Sequence, residues 1–181
     1  MATSSKKICL GKQYGSVREL AMMVMARMRD DESKLIRQMK KMIKERRSYA
    51  IQILSTNIDG WTPIHACALR GSKKLLKVFL SSGIDINITM GEPDGLPAGC
   101  TLLHMACLRG DIDLIEYLVS QKPDLNIKDS HNMTPVVYAT QRCHKRAVRF
   151  LQDNGANMAG VVAPTYECIT PQCSSTKFCF F

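Results

Sequence analysis

The chain has 181 residues, 45% of them hydrophobic and 23% charged, a balance that supports a packed core. No run of about 18 apolar residues occurs, so no membrane-spanning helix is expected, and the residues after Met1 do not read as a secretory signal. The net charge of +9 is uneven: residues 1–50 hold 13 Lys/Arg against 5 Asp/Glu, residues 51–158 hold 11 against 10, so any pull on an acidic partner is expected to start in the N-terminal segment.

Residues 1–15 are expected to be a flexible start. In 16–56, Val17, Leu20, Ala21, Val24, Met25 and Met28 recur at helical spacing. Asp30-Asp-Glu-Ser33 then interrupts the pattern and supplies capping residues, and Leu35, Ile36, Met39, Met42 and Ile43 form a second stripe. The pattern predicts a basic helical hairpin. Its second helix carries Lys34, Arg37, Lys40, Lys41, Lys44, Arg46 and Arg47 on the face away from the stripe. That face reads as a solvated surface, as a docking face for an acidic protein, or as a contact for an anionic membrane; a nucleic acid is the less expected partner.

From residue 57 the chain repeats itself. Thr62-Pro-Ile-His-Ala-Cys-Ala-Leu-Arg-Gly71 aligns without a gap with Thr101-Leu-Leu-His-Met-Ala-Cys-Leu-Arg-Gly110, and a third time with Thr134-Pro-Val-Val-Tyr-Ala-Thr-Gln-Arg-Cys143. The threonines are 39 and then 33 residues apart, so the first interval holds an insertion of six, in the Gly/Pro-rich stretch 89–99. The second halves recur as well: Leu75 to Asn87 parallels Leu114 to Asn126 and Ala147 to Asn157. Each unit has helix signals of its own. Thr62 precedes Pro63 as a cap before a first-turn proline. Ile64, Cys67 and Ala68 give a short face of small apolar residues, and Gly71 stops the helix. Leu75, Leu76, Phe79 and Leu80 form the stripe of a second helix. One such unit cannot bury its own apolar side, so the copies must stack.

These residues closely resemble the ankyrin repeat. The resemblance covers about 57–158 and implies an all-α solenoid: three helix-loop-helix repeats (57–88, 96–128, 129–158) with hairpin loops, on which the N-terminal pair sits as an atypical cap. The third copy departs most, with Asn132 for glycine, Val137 for histidine and Cys143 for glycine; the second has Leu102 for proline. By the same resemblance, His65 and His104 tie adjacent loops through backbone bonds, and a protein partner binds in the concave groove. The contact positions implied are Ile58, Asp59, Trp61, Leu69 and Arg70; Pro97, Ala98, Cys100, Leu108 and Arg109; and Ser130, His131, Met133, Gln141 and Arg142. Arg70, Arg109 and Arg142 would form a ladder suited to acidic or phosphorylated segments, and Trp61 a hot spot if exposed. In the lengthened loop, Glu92, Asp94 and Leu96 are further candidates.

Residues 159–181 read as a tail. Cys168, Cys173 and Cys179 lack the paired spacing of a zinc site, but Cys173 or Cys179, near Phe178, Phe180 and Phe181, could carry a lipid. The remaining cysteines read as free thiols of a reducing compartment, with Cys67 and Cys107 in the core. No phosphate loop, H-E-x-x-H or G-x-S-x-G motif occurs. The expectation is a monomeric, non-enzymatic adaptor without cofactor, cytoplasmic or nuclear.

Overall fold

A computed structural model describes residues 16–159; the expected flexible start and the cysteines of the tail lie outside the described residues. These hold nine helices: α1 (Val17–Asp30), α2 (Glu32–Glu45), α3 (Arg47–Ser55), α4 (Pro63–Arg70), α5 (Lys73–Leu80), α6 (Leu102–Arg109), α7 (Ile112–Ser120), α8 (Pro135–Gln141) and α9 (Lys145–Asp153). The inner layer stacks α1, α4, α6 and α8 in that order. In the outer layer α2 packs on α5 and α7 on α9. Cys67, Ala68, Ala106, Cys107 and Ala139 are fully buried along the inner stack. Small side chains there let neighbouring helices approach closely, while Leu75, Leu76, Phe79, Leu114, Ile115 and Leu118 fill the space behind them.

The N-terminal segment differs from the expected hairpin, because it holds three helices. Ser16 and Glu19 form a reciprocal capping box at the start of α1. Asp31 ends α1 and caps α2 through the Lys34 backbone N–H. The third helix, α3, buries Ala50, Ile53 and Leu54 and packs against α1, α2 and α4. Arg46 and Arg47 therefore do not belong to the second helix. Arg46 is the N-cap residue of α3, and Arg47 donates from Nε to the Ser82 carbonyl at 2.6 Å, which closes the end of α5.

Among the described residues α1 is the longest helix of the inner layer. With 14 residues against 8 in α4, it runs roughly 9 Å further at 1.5 Å per residue. At that extended end Arg18 reaches Asp59, at the tip of the first loop, at 3.0 Å. At the other end the Ser72 hydroxyl donates to Glu32 at 3.3 Å. The two contacts fix α1 parallel to α4.

The lengthened loop is seated rather than slack. Met90 N–H bonds to the Cys100 carbonyl and Gly99 N–H to the Met90 carbonyl, each at 3.0 Å, and Met90 and Leu96 are buried. Its backbone lies directly on the first loop: a side chain at Gly60 would sit 2.2 Å from the Pro93 nitrogen. Leu96 is thus a core residue and not a contact, while Glu92 and Asp94 are exposed.

Lys122 adopts the left-handed region (φ 57°) at the position where the other two repeats have Gly83 and Gly155, both also at positive φ. A lysine there carries a steric penalty that glycine avoids, set against glycine's greater freedom when unfolded. Lys122→Gly is expected to stabilise the protein by about 0.5–1 kcal/mol, read from the urea midpoint at unchanged slope. A lower midpoint would show that the backbone there carries no strain.

Candidate functional site

The hairpin loops are built on buried polar pins. In the first repeat the His65 ring accepts from the Thr62 hydroxyl at Nδ1 (2.6 Å) and donates from Nε2 to the Ile88 carbonyl (3.0 Å). In the second, the Thr101 backbone N–H donates to Nδ1 of His104 at 3.0 Å, so Nε2 carries the proton and donates to the Met133 carbonyl at 3.1 Å. Each histidine thus joins its own helix start to the next loop. Burial holds both rings neutral. His65 is lowered to about 4, with burial outweighing the carbonyl bonds that act the other way, and His104 is lowered for the same reason.

The third repeat has Val137 where the first two have histidine. The Thr134 hydroxyl is accordingly buried with no hydrogen-bond partner. A different cluster holds the third loop. Asp129 accepts from the backbone N–H groups of His131 (2.8 Å) and Met133 (2.9 Å) and from the Tyr138 hydroxyl (2.5 Å). Tyr138 packs edge-on against His104, with ring centroids 5.3 Å apart. Burial raises the Tyr138 hydroxyl.

These pins present the expected contact positions unequally. Ile58 is only 7% exposed and Cys100 not at all, so neither reaches a partner. Ile58 points inward at the base of its turn. Cys100 lies beneath the second loop, its thiol 3.5 Å from the Tyr138 hydroxyl and pushed up to about 11 by burial. Asp59 is exposed but held by Arg18. Trp61, Leu69, Leu108 and Met133 are half-buried, as are Pro97 and Ala98; Ser130, His131 and Gln141 are exposed. Backbone bonds tie the second and third loops together, Ser130 N–H donating to the Ala98 carbonyl at 2.9 Å.

Arg70 and Arg109 end α4 and α6, and Arg142 follows α8 as its C-cap, so the three stand at one point of successive inner helices. All are exposed. The middle rung is fastened: Arg109 donates to the Leu69 carbonyl at 3.2 Å and stands 3.6 Å from Asp111. Among the described residues no carboxylate pairs with Arg70 or Arg142. The stack also adds residues that the repeat pattern did not point to. Met22, 52% exposed, and Arg29 lie on the side of α1 away from its buried stripe and lengthen the inner surface. Repeat register does not point to them, since α2 and α3 together lengthen the interval between α1 and α4 beyond one repeat.

Among the described residues, no group of three or more His, Cys, Asp or Glu is placed to hold a metal ion, and no helix is long and apolar enough to cross a membrane.

Comparison with known proteins agrees with the geometry. A family model described as "Ankyrin repeats (3 copies)" matches residues 90–159, and a single "Ankyrin repeat" model matches 59–90. The chain is similar to "Phytochrome-interacting ankyrin-repeat protein 2" of Arabidopsis thaliana, 37% identical over 122 residues that cover 66% of this chain and 70% of the relative. Ankyrin repeats are protein–protein interaction modules. With helix pairs stacked in two layers, threonine–histidine pins between loops and three in-register copies, the chain belongs to the ankyrin-repeat family.

Proposed function

We propose that this protein is a non-enzymatic adaptor that captures an acidic or phosphorylated segment of a partner protein along its inner surface. The observation that carries the reading is the alignment of Arg70, Arg109 and Arg142 on successive inner helices, beside half-buried Leu69 and Leu108. Guanidinium groups suit carboxylate and phosphate because their planar forks donate two parallel bonds. The leucines provide the apolar contact that an interface needs at its centre. The exposed His131 and Gln141 line the third loop and helix end, and Met22 and Arg29 continue the surface onto α1. The relative's printed name gives it a protein partner, which supports the same partner class here.

The test is affinity purification of the partner from cells that express the chain, then binding by purified single variants. Arg70→Glu and Arg142→Glu are each expected to weaken binding by about tenfold or more. Arg109→Glu is expected to do so as well, with a loss of stability because Arg109 also holds the Leu69 carbonyl. Wild-type affinity in all three variants, with circular dichroism showing each folded, would remove the groove from the account.

A further inference from the structure

We infer that the outward face formed by α2 and α5 is a docking surface for an anionic lipid membrane. This face lies on the opposite layer from the groove, and the inference does not depend on the groove being used.

Two contacts place the helices side by side and parallel. Glu32, at the start of α2, takes the hydroxyl of Ser72 just before α5. Arg47, just past the end of α2, takes the carbonyl of Ser82 just past α5. The buried stripe of α2 (Leu35, Met39) and that of α5 (Leu75, Leu76, Val78, Phe79) turn inward. What remains outward is basic. On α2, Lys34, Arg37, Lys40, Lys41 and Lys44 are exposed, and on α5 Lys74 and Lys77 are. The stripe on α2 runs about 15 Å, and α5 lies about 8–10 Å away, so the cations cover an area rather than a line. Among the described residues Glu45 offsets them in part, 3.8 Å from Lys41, and Asp31 and Glu32 stand at the Lys34 end of α2. Lys77 is held over the Tyr117 ring of the next repeat at 5.0 Å. The adjoining outer helix α7 carries Asp113 and Glu116, so the basic field ends there.

The chemistry of this face selects among polyanions. A protein partner would need apolar or aromatic anchors at the centre of the contact, and the buried apolar stripes of α2 and α5 turn away from the cations. A single-stranded nucleic acid would need a row of open aromatic platforms, and the ring that stands beside these cations, Tyr117, is covered by Lys77. Six of the seven are lysines, hydrated point charges without the fork that fixes one phosphate at one geometry. The amide end of α2 is occupied by its own cap, Asp31. A fluid anionic membrane requires no such match, since its lipids gather beneath whatever cations approach. Docking by this face leaves the inner surface open, so a membrane and a protein partner can be held together.

The experiment is co-sedimentation of the full chain with vesicles of phosphatidylcholine alone, or with about one third phosphatidylserine. Binding is expected with the anionic vesicles and not the neutral ones, and it falls as salt shortens the screening length. The variant with Lys40, Lys41, Lys44 and Lys74 all changed to Gln is expected to partition roughly a thousandfold less, with an unchanged melting profile. Arg70→Glu is expected to bind vesicles as wild type does. Equal sedimentation with both vesicle types, retained binding by the quadruple variant, or loss on Arg70→Glu would each overturn the proposal. So would displacement from anionic vesicles by duplex DNA at equal charge, which would assign the face to nucleic acid.

Discussion

Acidification through the histidine range is expected to strip about 3 kcal/mol of stability from the fold through His65 alone, between its unfolded value of 6.5 and its folded value of about 4. The sign follows from proton binding. His65 is neutral in the folded chain well below pH 6.5, while an unfolded histidine takes a proton there. The unfolded state therefore binds more protons, and the contribution is complete above 6.5 and lost as pH falls toward 4. His104 is lowered by the same burial and adds in the same direction. Against a usual total of about 5–15 kcal/mol, the loss is a large fraction of the stability and should lower the urea midpoint well before the carboxylates titrate.

Urea midpoints at stepped pH measure this directly. The slope of stability against pH counts the protons taken up on unfolding; His65 is expected to raise it from about half a proton at pH 6.5 toward one near pH 5, and His104 adds in the same direction. His65→Gln should lower stability at neutral pH, because the Thr62 and Ile88 bonds are disturbed, and should remove about one proton from the slope. A flat profile above pH 5, or an unchanged slope in the variant, would show that neither ring is kept neutral by the fold.

The repeat itself was legible because its signals are local. Thr62, Thr101 and Thr134 start helices, and Gly71 and Gly110 stop them in left-handed caps. His65 and His104 pin loops as the family pattern implies. What stayed hidden depends on contacts distant in sequence. Ile58 and Cys100 occupy surface positions of the family pattern, yet here one turns into the core and the other is roofed by a loop that an insertion reshaped. Arg18–Asp59 joins residues 41 apart, and no periodicity announces it. Helix α3 was visible in Ala50, Ile53 and Leu54 at helical spacing, but the run is short and lies between a basic stretch and a loop. Basic charge in 34–47 was easy to see. That Arg47 is consumed by a carbonyl while Lys74 and Lys77 join the field follows only from α2 lying on α5.

The third repeat shows how a missing signal is replaced. With Val137 in the histidine position, the Thr134 hydroxyl is orphaned, and the loop depends on His104 from the preceding unit and on Asp129. Asp129→Ala is expected to destabilise the protein by about 3–4 kcal/mol. It leaves the His131 and Met133 N–H groups and the Tyr138 hydroxyl without their shared acceptor. Tyr138→Phe removes one of the three bonds and keeps the ring against His104, so about 1–2 kcal/mol is expected. The two should not add: once Asp129 is gone, the hydroxyl has only the weak Cys100 thiol nearby, and the double variant should be less destabilised than the sum by about 1 kcal/mol. Hydrogen exchange should show early loss of protection at His131 and Met133 in Asp129→Ala, ahead of α6. Strict additivity, or a loss under about 1 kcal/mol for Asp129→Ala, would mean that His104 holds the third loop without help.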